Sequence, residues 1–307
     1  MGHDHAHAHG TLTATGRHRT RLVLVMIITL AVFVAEVVGG LLSGSLALLA
    51  DAGHMLTDSA GLIIALVASV LAARPATTAR TYGLQRTEVL AALVNGVLLV
   101  AIAGWVLVQA IERWQDPAEV SSGLMLGVAA VGIAANVVGL LVLRGGKDES
   151  LNLRGAYLEV LGDLVGSVAV VVAALVILTT GWTRADAVAS VLVVCLILPR
   201  AWALIRDVVD VLLEATPRGV DLSNVRVHIE ETPGVVEVHD LHVWTITSGL
   251  PVLSAHVVVA GDDLARGRQG EILDSLGSCL GEHFDVAHCT FQLEPEGHRA
   301  HEPAHHA

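Results

Sequence analysis

Six apolar runs, at residues 22–42, 46–73, 87–111, 122–143, 155–180 and 186–206, fill the first two thirds of the chain. Each is near or above the ~20 residues that a helix needs to cross a bilayer, so the pattern predicts six transmembrane helices. The breaks between the runs are polar or helix-breaking. Ser43-Gly44-Ser45 is a very short turn, and Arg74-Pro75 ends the second helix because proline cannot continue it. Asp116-Pro117, residues 144–148 and Gly181-Trp182 separate the others, with Trp182 expected at the membrane interface. From about residue 207 the pattern changes to short alternating stretches with charged and turn-forming residues. Asp221-Leu222-Ser223-Asn224 reads as a helix start and Pro233-Gly234 as a breaker. Residues 235–246 and 252–259 read as β-branched strands joined through Ser248-Gly249. A helix over 263–283 and a strand over 286–293 complete the order αββαβ. The expected architecture is an α-helical membrane protein: a tail at 1–21, six transmembrane helices within 22–206, a small α+β domain at 207–295 and a polar tail at 296–307.

Composition agrees with that class. Hydrophobic residues make up 53% of the 307 positions and charged residues only 16%, too apolar for an ordinary soluble domain. The net charge of −12 argues against nucleic acid as a partner. Arginine and lysine collect before the first run (Arg17, Arg19, Arg21), between the second and third (Arg74, Arg80, Arg86) and between the fourth and fifth (Arg144, Lys147, Arg154). The other side holds little more than Arg113 and Arg184. The positive-inside rule therefore predicts that both termini are cytoplasmic, with no cleaved signal. Cys195, Cys279 and Cys289 have no metal-ligand or redox spacing and read as reduced thiols.

The candidate chemistry lies inside the apolar runs. His54 and Asp58 are four residues apart in the second, and Glu159 and Asp163 are four apart in the fifth. Positions i and i+4 share one helix face. Ionisable groups at membrane depth are expensive and mark ion or proton pathways by default. Facing each other, the two pairs would offer one nitrogen and three carboxylates, a four-ligand cage for a divalent transition metal. Gly162 and Gly166 form a small-xxx-small pair expected to bring the two ligand helices close. Asp51, at i, i+3 and i+7 with His54 and Asp58, and Glu36 in the first run are expected beside the cage rather than in it. Asn95 and Asn136 are expected to make interhelical hydrogen bonds.

At these residues a resemblance becomes clear. The stretch from Gly39 to His54 resembles the signature of the cation diffusion facilitator family of zinc transporters. So do Tyr82-Gly83, Arg86 and Glu88, the run Val160-Leu161-Gly162-Asp163-Leu164-Val165-Gly166-Ser167, and Val238-His239-Asp240-Leu241-His242-Val243-Trp244. Coverage is roughly residues 20–295. The resemblance implies a homodimer with six helices per chain and a cytoplasmic, metallochaperone-like (ferredoxin-like) domain. It implies exchange of a divalent cation, usually zinc, for protons, with the transport site at the positions of His54, Asp58, Glu159 and Asp163. Zinc-selective members usually have histidine where this chain has Glu159. The substitution makes the site harder, which should ease entry of Cd2+, Fe2+ or Mn2+ relative to Zn2+.

Further histidines lie outside the helices. His239 and His256 fall on predicted strands at positions that similar proteins use for cytoplasmic metal, with His242, His288 and Glu294 as further candidates. His3, His5, His7 and His9 alternate with small or acidic residues in the first tail, an arrangement suited to loose metal capture. The expected function is proton-coupled export of divalent metal, Zn2+ first, across the plasma or inner membrane, with Zn2+ also as regulatory ion. The expected partners are a second copy of the chain, the lipid bilayer, metal ions and protons. Two rivals are an intramembrane metalloprotease, which would need a motif such as His-Glu-x-x-His with an open coordination position, and a membrane-anchored metal sensor that moves nothing.

Overall fold

A computed structural model of the chain describes residues 11–144, 151–247, 249–284, 286 and 288–301. Among them are six helices long and apolar enough to cross a membrane. These are α1 (Thr11–Ser43), α2 (Leu46–Ala72), α3 (Thr87–Gln115), α4 (Ser122–Arg144), α5 (Leu151–Thr180) and α6 (Arg184–Leu212). Helix α1 starts eleven residues before its apolar run, because nothing between Thr11 and Arg21 stops a helix that has already nucleated. The first tail is therefore partly helical, where a wholly separate tail at 1–21 was expected. Helices α3 and α6 likewise run past their apolar segments, to Gln115 and Leu212.

The chain divides into two compact units, Met1–Ile63 with Val94–Ala203, and Ile64–Leu93 with Leu204–Ala307. In the first, α1, α4 and α5 pack side by side. Small residues permit this: a Cβ on Gly39 of α1 would lie 2.5 Å from Val128 of α4. Leu46 and Ala50 of α2 join Leu99, Ala103 and Val106 of α3 and Val193, Val194 and Ile197 of α6 in one apolar cluster. Ala47 and Leu48, on the neighbouring face of α2, join a second cluster with Met125 of α4, Val170 and Ala174 of α5 and Ala189 of α6. Helix α2 thus contributes to both clusters, which fixes the rotation of the helix that carries His54 and Asp58. The turn before it, at Gly44 (φ 71°), uses a left-handed conformation that glycine adopts without strain.

In the second unit, α7 (Leu222–Glu230) is capped by Asp221, whose carboxylate accepts from Ser223 N. Strands β1 (Val235–Thr245), β2 (Pro251–Val259) and β3 (His288–Pro295) form a sheet with β2 in the centre, antiparallel to β1 and parallel to β3. The parallel pair needs a crossover, supplied by α8 (Gly261–Ala265) and α9 (Gln269–Phe284). The single helix expected over 263–283 is broken at Gly267, where φ is +74°. Arg268 then ties the two pieces, with Nη1 2.9 Å from Asp263 Oδ1 and Nε 2.9 Å from Glu271 Oε2. Val225 and Ile229 of α7 and Ile272, Leu276 and Leu280 of α9 bury against Val238, Leu253, Ala255 and Val257 of the sheet. The α+β architecture is the one the sequence predicts, with one extra helix.

Candidate metal sites

Helices α2 and α5 bring the two intramembrane ligand pairs together within the first unit. His54 Nε2 lies 3.4 Å from Asp58 Oδ2 one turn along α2 and 3.9 Å from Asp163 Oδ1 on α5. His54 and Asp163 are buried, and among the described residues His54 Nδ1 and Asp163 Oδ1 have no hydrogen-bond partner. Buried polar atoms without partners are costly, and a cation between them would use both the charge and the lone pairs. His54, Asp58 and Glu159 open on a cavity of about 510 Å³, with Asn95 of α3 and Arg200 of α6 also in its wall. Asp163 meets His54 outside that wall, and among the described residues the four ligand side chains do not form one tight cluster.

Only one of the two glycines of α5 does the job expected of both. Gly166 does admit α2: a Cβ there would lie 3.0 Å from Asp51 Oδ1. Gly162 instead admits α6, with Arg200 Nη2 2.6 Å from the position of a Cβ. The absent side chain at 162 leaves the groove that the guanidinium fills. Glu36 and Asp51 are both buried. Glu36 Oε1 lies against Gly132 of α4, 3.3 Å from where a Cβ would be. Asn136 Nδ2 donates to Ser167 Oγ across α4 and α5 at 3.5 Å, as expected. Asn95 lies against Gly61, and its Oδ1 has no hydrogen-bond partner.

The cytoplasmic-type domain holds a tighter cluster. One ligand atom from each of His239, His256 and Glu294 lies within 4.8 Å of the others. The register explains it: His239 faces His256 across β1 and β2, and Val258, two residues on from His256, faces Glu294 across β2 and β3. His239 Nε2 is 3.2 Å from Glu294 Oε2, and His256 Nδ1 is 2.8 Å from Glu294 Oε1. Glu294 is 1% exposed, so a buried carboxylate sits between two imidazoles. Gln292 Nε2 donates to Glu294 Oε1 at 2.8 Å and orients it. Two nitrogens and one carboxylate oxygen are a zinc-type donor set with a fourth position left for water or another side chain.

The other strand histidines divide. His242 Nε2 is 3.0 Å from Asp240 Oδ1, and Asp240 Oδ2 is 3.7 Å from His256 Nε2, so His242 joins the cluster through an aspartate. His288 does not join: it lies six residues before Glu294 on β3, about 20 Å away along a strand, and packs edge-on against Tyr82 with ring centroids 5.5 Å apart. His3, His5, His7 and His9 lie outside the described residues. Burial pushes the Cys289 thiol up, and Cys289 Sγ donates to Val286 O at 3.4 Å, so it stays a thiol and not a thiolate ligand.

Two positions beside the candidate sites escape a reading of motifs. Asp240 has φ +48° and sits at a register shift between His239 and His242. The bulge turns its carboxylate toward the imidazoles. An aspartate inside a β-branched run is the signal, since it disfavours strands and tolerates the left-handed region. Arg200 is the other, signalled by a charge inside the sixth apolar run. The tail string His301-Glu302-Pro303-Ala304-His305 has protease-like spacing, yet His301 ends a short 3-10 turn (His298–His301), and residues 302–307 lie outside the described residues.

Comparison with known proteins places most of the chain. Residues 22–213 match the family model for the cation efflux transmembrane domain, and residues 217–296 match that for the cation efflux protein cytoplasmic domain. The chain is 44% identical over 267 residues to the metal cation efflux system protein CzcD of Cupriavidus metallidurans, covering 87% of this chain and 84% of that one. It is 41% identical to the cadmium, cobalt and zinc/H(+)-K(+) antiporter of Bacillus subtilis, over 86% of this chain and 85% of that one. It is 43% identical over 269 residues to the zinc transporter ZitB of Escherichia coli, with coverage of 87% and 84%.

Proposed function

This chain belongs to the cation diffusion facilitator family of cation efflux proteins, and we propose that it exports Zn2+ from the cytoplasm in exchange for protons. It is a multi-pass membrane transporter and not an enzyme. The observation that carries the proposal is the meeting of His54 Nε2 with Asp58 Oδ2 and with the buried Asp163 Oδ1 on two membrane-crossing helices. His54, Asp58, Glu159 and Asp163 are the ligands of the travelling ion. One imidazole and three carboxylates bind a divalent cation with the same lone pairs that bind protons, so the two compete. Alternating access then converts this competition into exchange. The names of the relatives support metal efflux, antiport, and zinc together with cadmium and cobalt as ions; the hard donor set extends the candidates to Fe2+ and Mn2+.

His239, His256 and Glu294 would hold a regulatory Zn2+, with His242 and Asp240 beside it. We place both termini in the cytoplasm of a plasma or inner membrane, the chain as a homodimer, and His3, His5, His7 and His9 as a loose metal-capturing arm. His288, on the evidence of its distance from Glu294, is not a ligand of that site. A second reading, a metal sensor that moves nothing, is favoured by the tightness of the cytoplasmic-type cluster. Uptake of zinc, cadmium, manganese and iron into proteoliposomes, with and without an imposed pH gradient, tests the proposal. Uphill zinc accumulation that disappears with the gradient is expected; binding without accumulation would support the sensor.

A further inference from the structure

Arg200 stands inside the apolar sequence of α6, one residue after Pro199. An arginine in a transmembrane segment is expensive enough to need a purpose. Its side chain lies in the groove left by Gly162, where a Cβ would be 2.6 Å from Nη2 and 3.3 Å from Cζ. Nη2 donates to the Leu158 carbonyl at a long 3.5 Å, and among the described residues Arg200 makes no ion pair. Leu158 and Gly162 flank Glu159 on α5, so both contacts hold the guanidinium next to the transport ligands. Arg200 also walls two cavities that reach the quartet, one with His54, Asp58 and Glu159 and one with Asp51 and His54. Pro199 cannot donate to the carbonyl one turn back, which loosens α6 immediately before the guanidinium.

Charge counting gives this arrangement a role. With the imidazole neutral, three ionised carboxylates carry three negative charges, and a divalent ion leaves one uncompensated. The guanidinium brings the loaded site to neutrality, which a membrane interior favours. In the empty site the same cation stays close to the carboxylates. Near a bound ion it repels it, and repulsion between like charges is strong where the dielectric constant is low.

Resting on the reading of the quartet as the transport site, we propose that Arg200 is a tethered counter-cation that takes over charge balance as the metal leaves and weakens its hold so that it can leave. Neutralising it should tighten zinc binding and slow release. The test uses the full-length chain in proteoliposomes with zinc alone, comparing wild type, Arg200→Gln, Arg200→Met, Arg200→Lys and Asp163→Ala. Initial rates give KM and turnover, and equilibrium dialysis gives the dissociation constant. Arg200→Gln and Arg200→Met should each lower the dissociation constant, KM and turnover, by about tenfold for a few ångströms of charge separation. Arg200→Lys, which keeps the charge, should restore most of all three. Unchanged or weaker zinc binding in the neutral variants would overturn the proposal, as would lysine behaving like glutamine. Insertion of Arg200→Lys but of neither neutral variant would assign the charge to folding and overturn it too. Wild-type flux in Asp163→Ala would instead refute the transport-site reading, whatever Arg200 does.

Discussion

Arg113 Nη1 on α3 lies 3.0 Å from Asp186 Oδ2 on α6, and this pair closes the end of α2. Asp186 is 1% exposed and takes up the free N-terminal groups of α2, accepting from Ser45 Oγ at 2.6 Å, Leu46 N at 2.8 Å and Ala47 N at 3.2 Å. Arg113 also donates to Gly44 O at 2.6 Å. One carboxylate thus caps a helix encoded about 140 residues earlier and holds three helices to one point.

Removing that carboxylate should be worse than removing its partner. Asp186→Ala leaves a guanidinium unpaired and α2 uncapped, a loss of about 3–5 kcal/mol for a broken buried pair with a further ~1 kcal/mol for the cap. Arg113→Ala leaves Asp186 its helix donors and should cost less. Thermal unfolding in detergent, followed by a tryptophan signal, checks the order of the two midpoints.

The cluster at His239, His256 and Glu294 should bind metal independently of the transport site. In an Asp163→Ala background, zinc at about 100 times its dissociation constant should stabilise the cytoplasmic-type domain by roughly 2.7 kcal/mol. Chelation should reverse the shift, and adding Glu294→Ala should abolish it. A zinc-dependent shift of the same size without Glu294 would remove it from the site.

Much of this was legible in the sequence, and the exceptions share a cause. Apolar length marked six helices because the bilayer imposes it locally, and the spacing of His54 with Asp58 and Glu159 with Asp163 marked one face of each helix. What the sequence does not expose is pairing across distance. Gly162 reads as a helix-packing residue, and only the fold shows that Arg200 occupies its groove. Asp186 looks like an ordinary first-turn acid of α6 until α2 is placed against it. Asp240 depends on a register shift, and Gly267 on a choice between continuing a helix and turning.

Asp240 is a separate test of the strand geometry. Asp240→Val should destabilise the domain by about 1–2 kcal/mol, because a β-branched residue resists positive φ. Asp240→Asn tolerates the same backbone, so it should fold normally and weaken zinc binding only by loss of charge near His242 and His256. Chemical denaturation and zinc titration of the two variants separate backbone from charge.

Glu159→His should raise the ratio of zinc to manganese flux while transport continues. Exchanging a carboxylate for an imidazole favours the ion that prefers nitrogen, whereas the lost charge acts on both ions alike and cancels in the ratio. Competition between the two metals in one vesicle preparation gives that ratio. An unchanged ratio in an active variant would take Glu159 out of the ligand set.

The central claim is that metal crosses through His54, Asp58, Glu159 and Asp163, and Asp163→Ala tests it most directly. Asp163 is the buried carboxylate that links α5 to His54, so its loss leaves the cage without a ligand between the two helices. The measurement is the initial rate of radioactive zinc uptake into proteoliposomes under a pH gradient, with insertion of the variant verified in the same vesicles. The account predicts uptake indistinguishable from protein-free vesicles in correctly inserted Asp163→Ala. Uptake at the wild-type rate would contradict it.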